Sequence, residues 1–241
     1  MALYDQRDLG IPNSMLQTLQ AAESLIDRAY QELLEAIADG TLLPGQRIRQ
    51  AELADRLGVS RQPVSHALHL LKRQGLVEES GSKGMRVVRL DPLRVMQLYQ
   101  VREVVDGLAA RLAAQHVAAR TADTAGLDAL KCLRDAAAAF GSTTPIQVLV
   151  RADADFHRAL YRLSANPAIE EMTGPLWPHL MRSMAMVLRA PDYAARVWRV
   201  EHPAILRCVL DGDPAGAETA ARDHAATAAL LTAAELQPQA A

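Results

Sequence analysis

Alanine accumulates toward one end of this 241-residue chain: 35 of its 44 alanines lie after residue 100. Alanine is the strongest helix former, so that stretch has to be read as helices. Two Phe, two Trp and five Tyr are too few for an aromatic-rich β-sandwich. The length suits one large domain or two modest ones. No run of about 18 apolar residues occurs, so nothing reads as membrane-spanning. No basic segment leads into an apolar one as in a secretory signal. Cys132 and Cys208 stand apart without a CxxC pair, which points to a reduced cytoplasm and not to a disulfide scaffold.

The net charge of −2 conceals a division. Residues 1–40 hold two Arg against seven acids, and residues 41–90 hold nine basic residues against four acids. Residues 91–241 hold fifteen against seventeen. A short basic stretch inside an acidic chain suits a polyanion-binding module joined to something else; the plain alternative is a solvated charged face.

Punctuation divides the chain further. Residues 1–14 read as a flexible arm, broken by Gly10, Pro12 and Asn13. Apolar positions Leu25, Ile26, Ala29, Leu33, Ala36 and Ile37 predict a helix over 15–38. Leu43-Pro44-Gly45-Gln46 has the chemistry of a type II turn. Helices are predicted at 50–57 and 60–74, then a small hairpin from 76–79 and 85–88 around Gly81 to Gly84. Asp91-Pro92 supplies an N-cap and a first-turn proline. Similar start signals recur at Thr121 with Asp123, Thr144-Pro145, Asn166-Pro167, Pro191-Asp192 and Asp213-Pro214. A helix over 167–189 would be kinked by Pro175 and Pro178. No strand is evident after residue 91. The predicted class is mainly α: a winged helix-turn-helix over 15–90, an all-α antiparallel bundle over 91–236, and a disordered tail at 237–241.

The first chemical constellation is a helix-turn-helix. Ala54 is small enough for a second helix to cross closely, and Gly58 can take positive φ at the turn. Leu53, Leu57, Val59, Val64 and Leu68 would bury the inner faces. Ser60 can N-cap the second helix, which leaves Arg61, Gln62 and Ser65 near the end that enters a major groove. Lys83 and Arg86 flank the hairpin tip, and Gly84 would let backbone approach a duplex. A purely structural helical hairpin is the competing reading.

These residues resemble the winged helix of the GntR transcription regulators. The matching pieces are Gly40-x-Leu42-x-Pro44-Gly45, Leu53-Ala54-x-x-Leu57-Gly58-Val59-Ser60-Arg61-x-Pro63-Val64, Ala67-Leu68-x-x-Leu71 and Gly75-Leu76-Val77. The resemblance implies that Arg49, Arg61 and the wing touch double-stranded operator DNA. Ser65-His66 stands where the family usually has Arg-Glu, and Gln50 where an acid is common. The family's usual operator therefore does not carry over.

The second constellation lies in the helical part. Asp153 and His157 are four apart and share a helix face. His202 and His224 are placed symmetrically about residue 213, so a hairpin folded there brings them level. Three imidazoles and a carboxylate suit a divalent transition metal: zinc, nickel or manganese. Isolated core histidines are the alternative.

Residues 92–235 resemble the all-helical ligand-binding domain of the FadR-type GntR regulators, called FCD. The marks are Val101-Arg102-Glu103-x-x-Asp106-x-x-Ala109-Ala110, Asp153-x-x-Phe156-His157, Asn166-Pro167, and Glu201-His202-x-x-Ile205 followed by Gly212-Asp213 and His224. The metal-binding branch of that family uses one Asp and three His, and all four have counterparts here. The resemblance implies a small carboxylate effector, with Arg102 as its counter-charge; a helix-surface ion pair with Asp106 is the other reading of Arg102. The function expected is a homodimeric, cytoplasmic, DNA-binding regulator, a repressor whose operator affinity follows a small organic acid at a metal site. A metal sensor without organic effector is the runner-up. A metal-dependent hydrolase is remote, since no HExxH, GxSxG or glycine-rich phosphate loop occurs.

Overall fold

The computed structural model describes residues 25–81 and 84–236. The predicted arm, the first ten residues of the predicted 15–38 helix, Lys83 and the predicted tail lie outside the described residues. Helix α1 (Leu25–Ala38) buries Ala29, Leu33 and Ile37. The Leu43–Gln46 turn forms as its chemistry predicts: Gly45 has φ +80° and Gln46 N–H donates to the Leu43 carbonyl at 2.9 Å. Helix α2 (Gln50–Leu57) ends at Gly58, whose φ of 64° is the left-handed conformation the helix-turn-helix requires. Helix α3 (Arg61–Arg73) crosses it with Val64, Ala67, Leu68 and Leu71 buried.

The predicted hairpin forms, and a third strand joins it. Strands β2 (Val77–Ser80) and β3 (Gly84–Val87) pair antiparallel, with Val77 opposite Val87 and Ser80 opposite Gly84. A third strand, β1 (Arg47–Ile48), adds to the free edge of β3 through Arg47 opposite Arg86 and Ile48 opposite Met85, in the order β1-β3-β2. Two residues are too few for alternation to show in a sequence.

A second core begins at α4 (Pro92–Ala118), capped by the Asp91 carboxylate, which accepts from Leu93 N–H at 3.1 Å. Helix α5 (Thr124–Ala137) is capped by Asp123 and is followed by α6 (Ile146–Leu163). The single kinked helix expected over 167–189 is instead three pieces. These are α7 (Pro167–Thr173), a 3₁₀ turn at Gly174–Leu176 and α8 (Trp177–Val187). Pro175 and Pro178 offer no N–H, so each begins a new segment. Helix α9 (Pro191–Arg196) runs through a π-helical turn at Val197–Glu201 into α10 (His202–Leu210). Pro203 has no N–H to offer the Arg199 carbonyl, and His202 N–H instead reaches back to the Val197 carbonyl.

Helix α11 (Pro214–Leu236) folds back after Gly212 (φ 66°) and lies along α4. Small side chains allow that approach: Ala109, Ala110, Ala113 and Ala114 on α4 and Ala217, Ala221, Ala225 and Ala228 on α11 are all buried. Gly107 is required there, because a Cβ at that position would sit 2.6 Å from Arg222 Cγ. The two cores are separate clusters, one under the winged helix and one filling the bundle. No helix among the described residues is long and apolar enough to cross a membrane.

Candidate metal centre and nucleic-acid face

Three helices bring four side chains to one buried cluster. Asp153 and His157 project from successive turns of α6, His202 opens α10, and His224 projects from α11. All four are buried, and one ligand atom from each lies within 4.8 Å of the others. A cation held at about 2.1 Å from its donors spaces them roughly 3–4 Å apart, so little closing is needed. His202 Nε2 is already 3.3 Å from Asp153 Oδ1. Phe156 stacks on the His202 ring at 3.9 Å, and Trp198 meets it edge-on at 4.7 Å.

Behind the cluster stands a set of orienting groups. His157 Nδ1 faces Asp106 Oδ2 at 3.2 Å, which turns Nε2 toward the centre. Asp106 also accepts from Tyr161 O–H at 2.5 Å and from Arg102 Nε at 3.1 Å. Glu201 Oε2 lies 2.6 Å from His224 Nδ1, and Arg196 holds the other Glu201 oxygen at 2.7 Å. Histidines that bind metals are held by such partners through the ring nitrogen that faces away from the metal. Both nitrogens of buried His202 lack a hydrogen-bond partner. Buried polar atoms left without partners are costly, so this donor fits a metal better than it fits an ordinary core.

Electrostatics agree with that fit. Burial holds the His157 imidazole below its ordinary value, and the Arg102 charge adds to it. Burial holds His202 well below its ordinary value, with the neighbouring His224 and His157 contributing. Neutral imidazole is the form that ligates. Burial alone would raise Asp106, but His157 and Arg102 outweigh it and keep the carboxyl below the usual range.

Arg102 resolves its two sequence readings together. Its pair with Asp106 exists, but it is buried, not on a helix surface. Its Nη2 donates to His157 Nε2 at 2.6 Å and lies 3.5 Å from His224 Nε2 and 4.0 Å from Asp153 Oδ2. Burial opposes its charge, yet Asp106 and the surrounding acids hold its pKa above the ordinary value. A guanidinium therefore faces the same centre as the four candidate ligands.

The winged helix presents a separate face. Arg61 and Gln62 are exposed at the start of α3, Ser65 is half-buried, and His66 and His69 are exposed. Ser60 occupies the N-cap position of α3, but its side chain makes no capping hydrogen bond, contrary to the expected role. Arg49 is exposed and pairs with Glu52 at 3.0 Å. Arg86 pairs across the wing with Glu78 at 2.7 Å. Gly84 has a structural reason as well: a Cβ there would meet the Ser80 carbonyl at 2.7 Å. Arg47 was missed; its exposed side chain lies over the wing beside Gly84, on the strand that was not foreseen.

His179 Nε2 contacts the Gln74 carbonyl at 3.1 Å, at the junction with the winged helix. Trp177 is buried beneath Arg158, while Trp198 flanks the cluster. Tyr161 and Glu201 carried no supporting role in the sequence reading; each faces its partner only once distant helices are packed.

Two family models match the chain. Residues 25–87 match the bacterial regulatory proteins of the gntR family, and residues 97–227 match the FCD domain. The YdhC regulator of Bacillus subtilis is 30% identical over 144 residues, 59% of this chain and 62% of that protein. A probable D-xylose utilization operon repressor of Paenarthrobacter nicotinovorans is 28% identical, covering 79% of this chain and 80% of that protein. The Glc operon transcriptional activator of Escherichia coli K12 is also 28% identical, covering 79% and 82%. Among solved structures, E. coli McbR/YncC superposes with a TM-score of 0.75 at 18% identity, covering 89% of this chain and 99% of that one, a likeness of fold. These families and relatives are DNA-binding regulators of transcription, repressors and activators, not enzymes. The chain belongs to the GntR family of bacterial transcription regulators, in the FadR-type branch that joins a winged helix to an FCD domain.

Proposed function

We propose that this regulator is a homodimeric repressor whose operator affinity responds to a small carboxylate held jointly by Arg102 and a divalent transition metal. The observation that carries this reading is the convergence of four buried donors within 4.8 Å, with the Arg102 guanidinium aimed among them. Asp153, His157, His202 and His224 would hold the metal, His157 Nε2 giving up its bond from Arg102 to do so, and zinc, nickel and manganese all suit three imidazoles and a carboxylate. Bound there, the metal supplies a Lewis-acidic contact for an organic acid. A divalent cation and Arg102 against Asp153 and Asp106 leave one net positive charge, since Glu201 is matched by Arg196. A carboxylate neutralises that excess in a low-dielectric interior, where an unmatched charge is most costly.

On the DNA side, the operator-contacting set is Arg49, Ser60, Arg61, Gln62, Ser65, Gly84 and Arg86, joined by Arg47; Lys83 is included on its sequence position alone, between Gly81 and Gly84. Support comes from the exposure of the α3 start and from the basic balance of residues 41–90. Two copies on a two-fold operator would each set one α3 in a major groove. Only a difference in effector affinity between DNA-competent and DNA-released states can drive release.

The test is thermal unfolding of metal-loaded and chelator-stripped protein against a panel of small carboxylic acids. A ligand specific to the native state raises the midpoint. The proposal expects one acid to stabilise the loaded protein alone and to weaken operator binding. If metal stabilises and no acid adds to it, metal sensing replaces the carboxylate reading. His224→Ala should sharply reduce metal content, and full loading of that variant would refute the ligand set.

A further inference from the structure

We propose a second ligand site, at the junction of the winged helix and the bundle, for a small multiply charged anion of the phosphate class. Its core is Arg182 on α8, only 3% exposed. One Arg182 Nη donates to the Val88 carbonyl, while its buried Nε has no partner. Among the described residues no carboxylate pairs with it. Arg182 lines a cavity of about 460 Å³ together with Arg73, Arg89, Arg94 and His179. None of these arginines forms an ion pair among the described residues. Asp91 is the one acid in that wall, and its carboxylate already caps α4 through Leu93 N–H. On its other side Arg182 borders a hollow of about 530 Å³ with Arg89 and Arg189.

A buried guanidinium without a counter-charge is costly, and an anion removes the cost. Burial lowers Arg182 to about 10, and His179 is also lowered, first by burial and then by Arg182. The cavity has the size of an ordinary small-molecule site, about 300–1,000 Å³. Several planar guanidinium forks around one space suit the oxygens of a phosphate-like anion better than a single carboxylate. Operator DNA is not the occupant. Arg73 ends α3, about 18 Å along the helix from Arg61 at its groove-facing start.

The walls come from both parts of the chain. Arg73 ends α3 of the winged helix, Arg89 lies in the connection before α4, Arg94 lies in the first turn of α4, and Arg182 belongs to the bundle. An anion here bridges the two and holds the winged helix in one orientation. The site is separate from the metal cluster and does not depend on it.

The experiment is thermal unfolding of chelator-stripped protein with pyrophosphate, compared with chloride at equal ionic strength. The proposal expects pyrophosphate at a hundredfold excess over its Kd to raise the midpoint by about 5 °C or more. Arg182→Met should abolish that response, and its midpoint in chloride should match or exceed the parent's, because the unpaired buried charge is gone. Arg94→Gln, an exposed rim change, should weaken pyrophosphate at least tenfold and leave the fold intact. No pyrophosphate shift beyond chloride overturns the proposal. So does a full response in Arg182→Met, or a response seen only in metal-loaded protein.

Discussion

Glu201 Oε2 lies 2.6 Å from His224 Nδ1, and the residue after Glu201 in the chain is His202. The π-helical turn thus delivers a candidate ligand and the support of another from adjacent positions. Glu201 fixes the His224 ring with Nε2 toward the cluster. Glu201→Gln keeps the shape and removes the charge. Metal affinity should fall about 10–100-fold with little change in helical content. Competition titration against a chromophoric chelator, with circular dichroism alongside, measures both. Unchanged affinity would mean that Glu201 does not orient the ligand.

Acid should destabilise the metal-free protein. His157 and His202 are both held below their ordinary value, first by burial, then by Arg102 at His157 and by His224 at His202. In the unfolded chain each takes a proton near 6.5. The unfolded state therefore binds more protons below that pH, and stability rises with pH through the window. The contribution is fully present above about pH 6.5. It is lost as pH falls from there through the lowered folded values, at up to about 1.4 kcal/mol per pH unit for each histidine. Denaturant unfolding of chelated protein between pH 5 and 7.5 should show that decline. A flat profile would mean that the two rings can be charged where they sit.

Arg61 is exposed at the first turn of α3. If it reads a base edge, Arg61→Ala should reduce discrimination between operator and random duplex by about 1–3 kcal/mol, with a smaller loss on random DNA. Fluorescence anisotropy with both duplexes at several salt concentrations separates the terms. Equal losses on both, with a shallower salt dependence, would make Arg61 a phosphate contact.

The legible parts of this molecule are those governed by local chemistry. Gly58 announced a left-handed turn, Asp91 and Asp123 announced caps, and the symmetry of His202 and His224 about residue 213 anticipated their meeting on α10 and α11. The rest depends on packing between distant segments. Strand β1 is defined by its partner β3 and not by any pattern of its own. The π-helical turn answers the missing Pro203 N–H, and a proline there predicts disruption without predicting its form. Asp106 looked like a surface partner of Arg102 because spacing on α4 cannot show that α6 covers both. Arg182 gave no signal, because its lack of a counter-charge is visible only when α8 is set against the chain around Val88.

Helix α6 offers a route from the metal cluster to the winged helix. Asp153 faces the cluster, and Arg151, two residues earlier, reaches outward to α1 and the residue after it. Its Nη2 donates to Asp39 Oδ2 at 2.9 Å and lies 3.4 Å from Glu35. Asp39 is buried and accepts from Thr41 N–H, so Arg151 is the cation that balances it. Arg151 itself is more than half exposed, so solvent screens the pair and its contribution is about 1 kcal/mol or less. Arg151→Ala should therefore cost little stability and leave metal affinity near the parent value, since no candidate ligand is touched. Its larger effect should be on coupling. If α6 transmits occupancy of the cluster to α1, the change in operator affinity on metal and effector loading should shrink several-fold in the variant. Operator titrations of parent and Arg151→Ala protein, each loaded and stripped, measure that ratio directly. An undiminished ratio would remove α6 from the route and direct attention to α8, which also packs on α1.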